Sequence, residues 1–424
     1  MTTLVARDPH IAIWLDGVPL EMPTNSVVQV EVEERADEAS QFRLGIDMSP
    51  IEGDWDVLER GSFAEAFLIP QFSLLRRVTI EFSLVRREED EPELSAVVID
   101  GYITTVEPVF SDARVPDSQL IVSGTDASCL MHLETRTRSW QGMTDTQIAR
   151  QIFRDNGFDA SDACFEDTGL LRDGARSGLV QRCTDAEFLT YLARRNGYEW
   201  YLEPETGAVP EGAHPGIWLQ GHFHSPRPQQ DLQYGGTPLA LFPRETPTLV
   251  NFRARWESDR PASVRAWHLA EDSREVQAVD ITEPGYGALN SPNPASVRRA
   301  GLIDRRLAEI FPEQPRPAAR EIASSQVPHG SAELASLARA EYRRVDWFVR
   351  GEGTVNTEYY PGIVRARRPI ALSGVGHLLD GRWYVLGVRH RLAVDRDRPE
   401  TEPVTCRYEA DVTLVRNDLG GSAA

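Results

Sequence analysis

The stretch from Gln181 to Pro204 reads QRCTDAEFLTYLARRNGYEWYLEP and contains a helix start, a helix stop and a strand. Thr184 and Glu187 form a capping box, because the hydroxyl accepts a backbone N–H of the first turn while the carboxylate reaches back to the cap. The apolar residues that follow recur at helical spacing: Phe188, Leu189, Leu192 and Ala193. Asn196-Gly197 supplies the left-handed residue that ends a helix. The sequence therefore predicts one well-defined helix here.

The residues after this helix alternate between apolar and polar. Tyr198, Trp200 and Leu202 recur with period two, which predicts a strand with one buried face. Residues 204–207, Pro-Glu-Thr-Gly, are typical of a turn. The unit is thus a helix, a sharp stop, an aromatic strand and a turn.

An earlier stretch repeats these signals. Thr144 and Gln147 form a second capping box, and Asn156-Gly157 ends the second helix. Two such helices predict an α/β insertion domain over residues 127–205. A duplication and two independently capped helices explain the pattern equally well.

The regions on both sides of this insertion are rich in predicted strands. The Asp16-Gly17 turn joins two alternating runs near the N-terminus into a hairpin. Gly101 lies inside another strand pattern, which indicates a bulge or a bend at a barrel corner. Short strands joined by turns favour a β-barrel or sandwich over residues 1–126, and a second β region over 248–282 and 340–419.

Three segments lie outside these regions. Residues 206–247 are rich in Gly, Pro and Gln and are interpreted as a variable linker or subdomain. Residues 283–339 form an irregular insertion with two predicted helices, at about 296–310 and 332–345, joined by a Pro-rich stretch. Residues 420–424 are predicted to be a disordered tail.

Composition limits the function classes. The chain has 424 residues, enough for several domains, and a net charge of -20, which disfavours nucleic-acid recognition and anionic membranes. All 45 basic residues are Arg. No stretch approaches the ~20 apolar residues that span a bilayer, and no N-terminal targeting signal is evident. We expect no membrane insertion, and assembly in the cytoplasm.

Catalytic motifs are missing from the sequence. No nucleophile elbow, phosphate-binding loop, zinc-protease motif or dinucleotide fingerprint occurs, so no catalytic, cofactor-binding or metal-binding residue is predicted and no cofactor is expected. His222 and His224 would share one face of a strand and could hold a metal, but no third ligand is evident nearby, which favours a solvated or hydrogen-bonded pair. The four cysteines are interpreted as buried, reduced thiols.

The capped helix and its aromatic strand resemble the signature of the late control D / VgrG family, the baseplate hub proteins of contractile injection systems. The residues that carry this resemblance are Asp185, Phe188, Leu189, Leu192, Ala193, Arg194, Gly197, Tyr198 and Tyr201. A second match lies near the C-terminus, at Pro361, Gly362, Gly374, Gly381, Tyr384, Val385, Val388 and His390. The resemblance implies a structural role for His390.

The resemblance implies a mainly β fold with an α+β insertion, in which two related β-barrel, tube-like domains accompany the helix-containing domain. A homotrimer of such chains presents six similar units. It would join a hexameric inner tube protein, or a tube initiator, to a trimeric spike, next to baseplate wedge proteins. The chain stops soon after the last predicted strand, so we expect the VgrG-like spike to be a separate protein. This arrangement favours a phage tail, a tailocin or an extracellular contractile injection system.

Two other function classes fit an acidic, β-rich chain. One is a cell-wall or carbohydrate-active enzyme. The other is a monomeric β-sandwich binding module. The hub interpretation predicts no enzymatic activity and a trimer, whereas the rivals predict turnover or a single-chain mass.

Overall fold

A computed structural model describes most of the chain. The described residues are 7–20, 27–48, 69–86, 92–110, 118–171, 178–206, 217–243, 246–257, 263–269, 274–283, 285–290, 299–313, 319–322, 328, 330–394 and 406–419. Residues 420–424, which are predicted to be a disordered tail, lie outside these ranges.

The strands in chain order are β1 (Arg7–Leu15), β2 (Val18–Pro19), β3 (Val27–Arg35), β4 (Gln41–Asp47), β5 (Arg77–Arg86), β6 (Pro92–Val109), β7 (Gln119–Asp126), β8 (Thr135–Trp140), β9 (Leu179–Thr184), β10 (Glu199–Thr206), β11 (Ile217–His224), β12 (Leu239–Ala240), β13 (Leu249–Trp256), β14 (Ser263–Leu269), β15 (Val276–Ile281), β16 (Ala319–Ile322), β17 (Val349–Val355), β18 (Pro369–Ser373), β19 (Gly381–Val394) and β20 (Cys406–Arg416).

The helices are the single turn α1 (Ile69–Gln71), then α2 (Asp145–Asp155), α3 (Asp185–Asn196), α4 (Arg299–Ile310) and α5 (Ser331–Asp346). Short 3₁₀ turns lie at Ala127–His132, Asp162–Cys164 and Gln233–Gly236. None of the helices in the described ranges is both long and apolar enough to span a membrane.

Most strands belong to one large sheet. Within the described residues thirteen strands pair in the order β13-β17-β20-β19-β3-β4-β7-β6-β5-β1-β2, with β18 and β12 attached beside β19. All of these pairings are antiparallel except β12 with β18. The mainly β fold with a helix-containing insertion is confirmed.

The large sheet consists of two β modules with the same order of strands, although the first strand is antiparallel to its neighbour in one module (β1 with β5) and parallel in the other (β12 with β18). The first module has the neighbour order β3-β4-β7-β6-β5-β1, and the second has the order β13-β17-β20-β19-β18-β12. Numbered along the chain, both orders are second, third, sixth, fifth, fourth and first strand. The modules join edge to edge where β3 pairs with β19. Since an arbitrary chain has no reason to repeat a six-strand order, this repetition indicates two related units.

One apolar core continues through both modules. Leu44, Ile80 and Val122 of the first module belong to the same buried cluster as Trp383 and Leu414 of the second. Alternating side chains of each strand point into this core, as expected for sheets with one buried face. The two modules therefore stabilise each other by burial as well as through the β3–β19 ladder.

The insertion between the modules has its own core, built from α2, α3 and strands β8 to β11. Both capping boxes form as predicted, and Gly197 ends α3 with a φ of 63°. Phe223 on β11 belongs to this core, so the packed unit includes a strand beyond residue 205. The predicted turn at 204–207 is wrong for its first three residues, because β10 continues through Thr206.

The two helices of the insertion contact each other reciprocally. Asn156, which ends α2, donates its amide to Asp185 at the start of α3 at 2.8 Å. Asn196, at the end of α3, donates its amide to Asp145 at the start of α2, also at 2.8 Å. This exchange between equivalent positions favours duplication over independent capping.

A smaller sheet, with the order β15-β14-β16, lies outside the two modules. Helix α5 packs on it through Leu334, Ala338 and Tyr342, which contact Val264 and Ala266. This unit therefore has a separate small core.

Gly101 stands where β6 exchanges partners. It pairs with Val78 of β5 and with Asp126 of β7. Two bulges of β6 lie on either side of it, at Val98 and Thr104. A Cβ at Gly101 would lie 2.1 Å from the backbone oxygen of Thr125, so glycine is needed here because β7 approaches closely.

Gly101→Ala is therefore expected to destabilise the first module. The added methyl must push β7 away, and overpacking of this kind costs about 1–3 kcal/mol or more. Urea unfolding measures the loss. Gly287→Ala is the matched control, because its new Cβ would have its nearest neighbour 3.6 Å away. Equal stabilities for the two variants would contradict the close-approach explanation.

Candidate assembly edges and junction cavity

The long strands β6 and β19 carry an equivalent bulge. In β6 the extra residue is Thr104, between two residues that pair with β7. In β19 it is Leu386, between two residues that pair with β20. Because a bulge shifts the register of every following residue, its repetition at the same place aligns the two strands residue by residue.

The two modules also share a residue with positive φ, which lies just before β5 in the first module and just before β18 in the second. Leu75 and Arg367 both have a positive φ, 60° and 64°, which is unusual for residues other than glycine. The N–H of Leu75 donates to the carbonyl of Ile103, and that of Arg367 donates to the carbonyl of Val385, each at 2.8 Å. Ile103 and Val385 directly precede the equivalent bulges. The bulges and these hydrogen bonds therefore align β6 with β19 in the same register.

The edge strands β3 and β13 correspond as well. The β3–β4 ladder shifts register at Val28, and the β13–β17 ladder shifts at Val250. Counting along each strand from this point, Glu33 of β3 corresponds to Arg255 of β13. The two modules are thus related in strand order, bulges and backbone conformation.

The ladder between β3 and β19 joins the modules within one chain. It runs antiparallel from Gly387 opposite Arg35 to Ala393 opposite Gln29. On its exposed face Arg389 forms ion pairs with Glu33 at 3.0 Å and Glu31 at 3.2 Å. Opposite charges across neighbouring strands favour this register.

Glu34 lies buried beneath the same ladder. It accepts hydrogen bonds from Nε of Arg365 at 2.7 Å and from the backbone N–H of Ala366 at 3.1 Å. Burial alone would raise the pKa of Glu34, but the charge of Arg365 and the contact with His390 lower it to about 2. This buried carboxylate therefore ties the edge of the first module to the second.

The sheet edges that correspond to the joined edges of β3 and β19 have no strand partner within the described residues. Strand β13 pairs only with β17, so its other edge is open. Strand β6 pairs with β5 only up to Tyr102, so the same edge is open beyond the Thr104 bulge. Large apolar side chains are exposed at both edges: Val250 and Trp256 on β13, Val109 on β6, and Phe110 next to it. Open edges with exposed apolar residues are typical of association sites.

A cavity of about 430 Å³ lies where the β10–β11 hairpin meets both modules. Its lining includes Glu203 and His222 from the hairpin, Asp100 from the first module and Arg365 and Arg368 from the second. Glu203 forms an ion pair with Arg368 at 2.6 Å, which ties the insertion to the second module. Acidic and basic side chains of three units therefore meet at this point.

The predicted His-x-His pair lies on this hairpin. His222 and His224 share one face of β11, with ring centroids 5.6 Å apart. His224 contacts the hydroxyl of Tyr201 at 3.2 Å and the carbonyl of Ser225 at 2.7 Å, so both of its nitrogens have partners. Burial lowers the pKa of His224 to about 4, and burial together with nearby guanidinium groups lowers that of His222 to about 3. Of these two residues, only His222 has ring nitrogens without a hydrogen-bond partner in the described part of the chain.

Two acidic residues near His222 were not identified from the sequence. Glu203 and Glu205 lie on the same face of β10, and their carboxylates and the His222 ring lie within 4.8 Å of one another. The alternation that begins at Tyr198 would have placed them together. The assignment of residues 204–207 to a turn ended the strand too early.

No protein-family model matches the sequence, and no curated protein matches it. Solved structures do. The tail protein of Neisseria meningitidis MC58 superimposes with a TM-score of 0.55 at 12% identity over 97% of each chain. The 43 kDa tail protein of prophage MuSo2 from Shewanella oneidensis gives 0.54 at 13% identity, over 97% of this chain and 99% of that one.

This chain shares the fold of these two proteins. A chain of the Francisella PdpA-VgrG complex is also similar, with a TM-score of 0.52 and 9% identity over all of this chain and 55% of that one. At these identities the likeness concerns the fold. It extends over nearly the whole chain, so both modules and the insertion belong to the shared architecture.

Within this fold, His390 is fully buried, and its Nδ1 contacts the hydroxyl of Tyr408 at 2.7 Å. A side chain in this position is out of reach of a substrate. All four cysteines are free thiols. They are only half-buried, so the expectation that they are buried is wrong.

Proposed function

We propose that this chain is the baseplate hub of a phage tail, tailocin or extracellular contractile injection system. Three copies would form a homotrimer in which six β modules surround a channel. One face would bind the hexameric inner tube or a tube initiator, and the other a separate trimeric, VgrG-like spike, with baseplate wedge proteins outside. The duplicated module carries this proposal, and the shared tail-protein fold supports it.

The duplication lets a threefold assembly match a sixfold one. Each chain contributes two units with the same strand order, so a rotation of about one sixth of a turn relates neighbouring units in a trimer of closed symmetry. The function is mechanical: nucleation of the tube and transmission of the contraction stroke, with no bond made or broken. Assembly in the cytoplasm would precede incorporation into a tail-like particle.

The in-chain junction indicates how neighbouring chains would pair. Within a chain, β3 of the first module pairs with β19 of the second. The equivalents of these strands are β13 and β6, whose corresponding edges are open within the described residues. Pairing β13 of one chain with β6 of the next would repeat the same junction three times and leave a continuous ring.

The register of that pairing follows from the aligned bulges. Arg389 lies opposite Glu33 in the chain's own junction. The equivalent residues are Glu107 on β6 and Arg255 on β13, both exposed. The charges are exchanged, yet they remain opposite in sign. Pro108 takes the place of His390, so β6 has one backbone N–H donor fewer than β19 at this position.

Glu107→Arg is expected to weaken the trimer. Opposite-charge pairs across strands contribute about 0.2–1 kcal/mol each, and three occur in a ring, so dissociation should become roughly ten- to a hundredfold easier. Adding Arg255→Glu should restore assembly. Light scattering over a dilution series, with and without the spike protein, measures the mass. Glu309→Arg, on the exposed face of α4, is the control.

Two results would contradict the proposal. A single-chain mass at all concentrations, with the spike present, would favour a monomeric binding module. Turnover of cell-wall material by the purified protein would favour an enzyme. If the protein is trimeric but Glu107→Arg does not change its mass over the dilution series, the hub proposal stands and the proposed pairing of β13 with β6 is wrong.

A further inference from the structure

His222 is a buried side chain with no hydrogen-bond partner on either ring nitrogen within the described residues. Only 7% of the residue is exposed, and it faces the junction cavity. Buried polar atoms are almost always paired, so two unpaired nitrogens on one ring need an explanation. His224, two residues later on the same face, has partners for both of its nitrogens.

His222 and Glu203 are separated by a distance that fits two ligands of one metal ion. Nε2 of His222 and Oε2 of Glu203 lie 3.6 Å apart, which is too long for a hydrogen bond. Two ligands of one tetrahedral Zn²⁺, each bonded at about 2.0–2.1 Å, are separated by about 3.3 Å. The pair therefore has the spacing of two metal ligands.

Glu205 supplies a third ligand. Glu203 and Glu205 alternate onto the same face of β10, and His222 lies opposite Tyr201 on β11, so the hairpin's register brings the three together. Arg368 binds Oε1 of Glu203 and leaves Oε2 facing His222. A metal ion and Arg368 can thus bind the same carboxylate through different oxygens.

The charge of the cavity agrees with a cation. Its lining contains six carboxylates and four guanidinium groups, and one of the carboxylates, Asp100, is paired with Arg77 outside the lining at 2.6 Å. The remaining excess is one negative charge, which a cation would offset. One imidazole and two carboxylates are ligands suited to Zn²⁺ and similar first-row metals.

We propose that His222, Glu203 and Glu205 bind a divalent metal ion of the Zn²⁺ class at the junction of the insertion and the two β modules, with a fourth ligand position facing the cavity. The ion would hold β10 and β11 together, because all three ligands lie on this hairpin. This site does not depend on the hub function, since its geometry involves one chain only.

The test is Zn²⁺ binding to the full-length protein after treatment with a chelator, followed by isothermal titration calorimetry. We expect one Zn²⁺ per chain. His222→Ala should weaken binding at least about tenfold, since even residues that only support a metal ligand cost 10–100-fold when lost. His224→Ala should stay within about threefold of wild type, because its nitrogens are engaged within the protein.

Two further variants keep the result interpretable. Glu205→Gln changes an exposed side chain and should preserve the fold while weakening Zn²⁺ binding about as much as His222→Ala does. Arg368→Gln removes a cation next to the site and should strengthen binding. Failure of the wild type to bind stoichiometric Zn²⁺, or binding unchanged in both His222→Ala and Glu205→Gln, would overturn the proposal.

Discussion

Replacing Glu34 by Ala is expected to lower the free energy of unfolding by about 3–5 kcal/mol, because it leaves the guanidinium of Arg365 buried without its counter-charge. Arg365 is only 15% exposed, and its Nη1 also donates to the carbonyl of Val97. The lost interactions lie where β3, β6 and the loop before β18 meet. Urea unfolding followed by tryptophan fluorescence measures the loss.

The matched control is Glu33→Ala, one residue earlier on β3. Glu33 and Arg389 are 32% and 48% exposed, so their ion pair is screened by water. Loss of such a pair costs about 0–1 kcal/mol. A Glu34→Ala variant within 1 kcal/mol of wild type would show that the buried pair does not hold the modules together.

The stabilisation by Glu34 should also depend on pH. The pKa of Glu34 is lowered from 4.5 to about 2, so the folded state favours the ionised carboxylate. The contribution is complete above pH 4.5, the unfolded value, and is lost as pH falls towards 2. Comparison of wild type with Glu34→Gln over this range should show a difference that shrinks by about 3 kcal/mol.

Glu199→Gln is expected to have the opposite effect and to stabilise the protein at pH 8 by about 3 kcal/mol. Burial raises the pKa of Glu199 to about 7, although its carboxylate accepts a hydrogen bond from Tyr384 at 2.8 Å. The folded state therefore favours the protonated carboxyl. The contribution of Glu199 to stability is complete below pH 4.5 and is lost as pH rises through about 7.

The variant removes this loss because a neutral amide keeps an oxygen for Tyr384. Its advantage should disappear near pH 4.5, where wild-type Glu199 is protonated in the folded state. Chemical unfolding at pH 4.5, 6 and 8 measures how the stability difference between Glu199→Gln and wild type changes with pH. Glu309→Gln, an exposed isosteric change, should stay within about 0.5 kcal/mol of wild type at each pH. A Glu199→Gln variant that is no more stable at pH 8 would contradict the direction of this pKa shift.

The candidate sites could be predicted from the sequence only in part. The sequence predicts His222 and His224 as a possible metal pair but misses two carboxylates. Glu205 falls in the turn predicted at residues 204–207, and Glu203 comes near His222 only through the pairing of β10 with β11. Glu34 and Glu199 gave no sequence signal, since each differs from other carboxylates only in its surroundings. The partner of Glu34, Arg365, lies 331 residues away along the chain.

The two capped helices, their glycine stops, the N-terminal hairpin and the β-rich character of both flanks can be predicted from the amino-acid sequence. Each of these features depends on residues that are close together along the chain, so neighbouring side chains suffice to specify it. The shared strand order of the two β modules, the pairing of β3 with β19 and the position of His222 beside two carboxylates are visible only in the folded chain. Those features depend on register between distant strands, and a shift by one residue would turn each side chain to the opposite face.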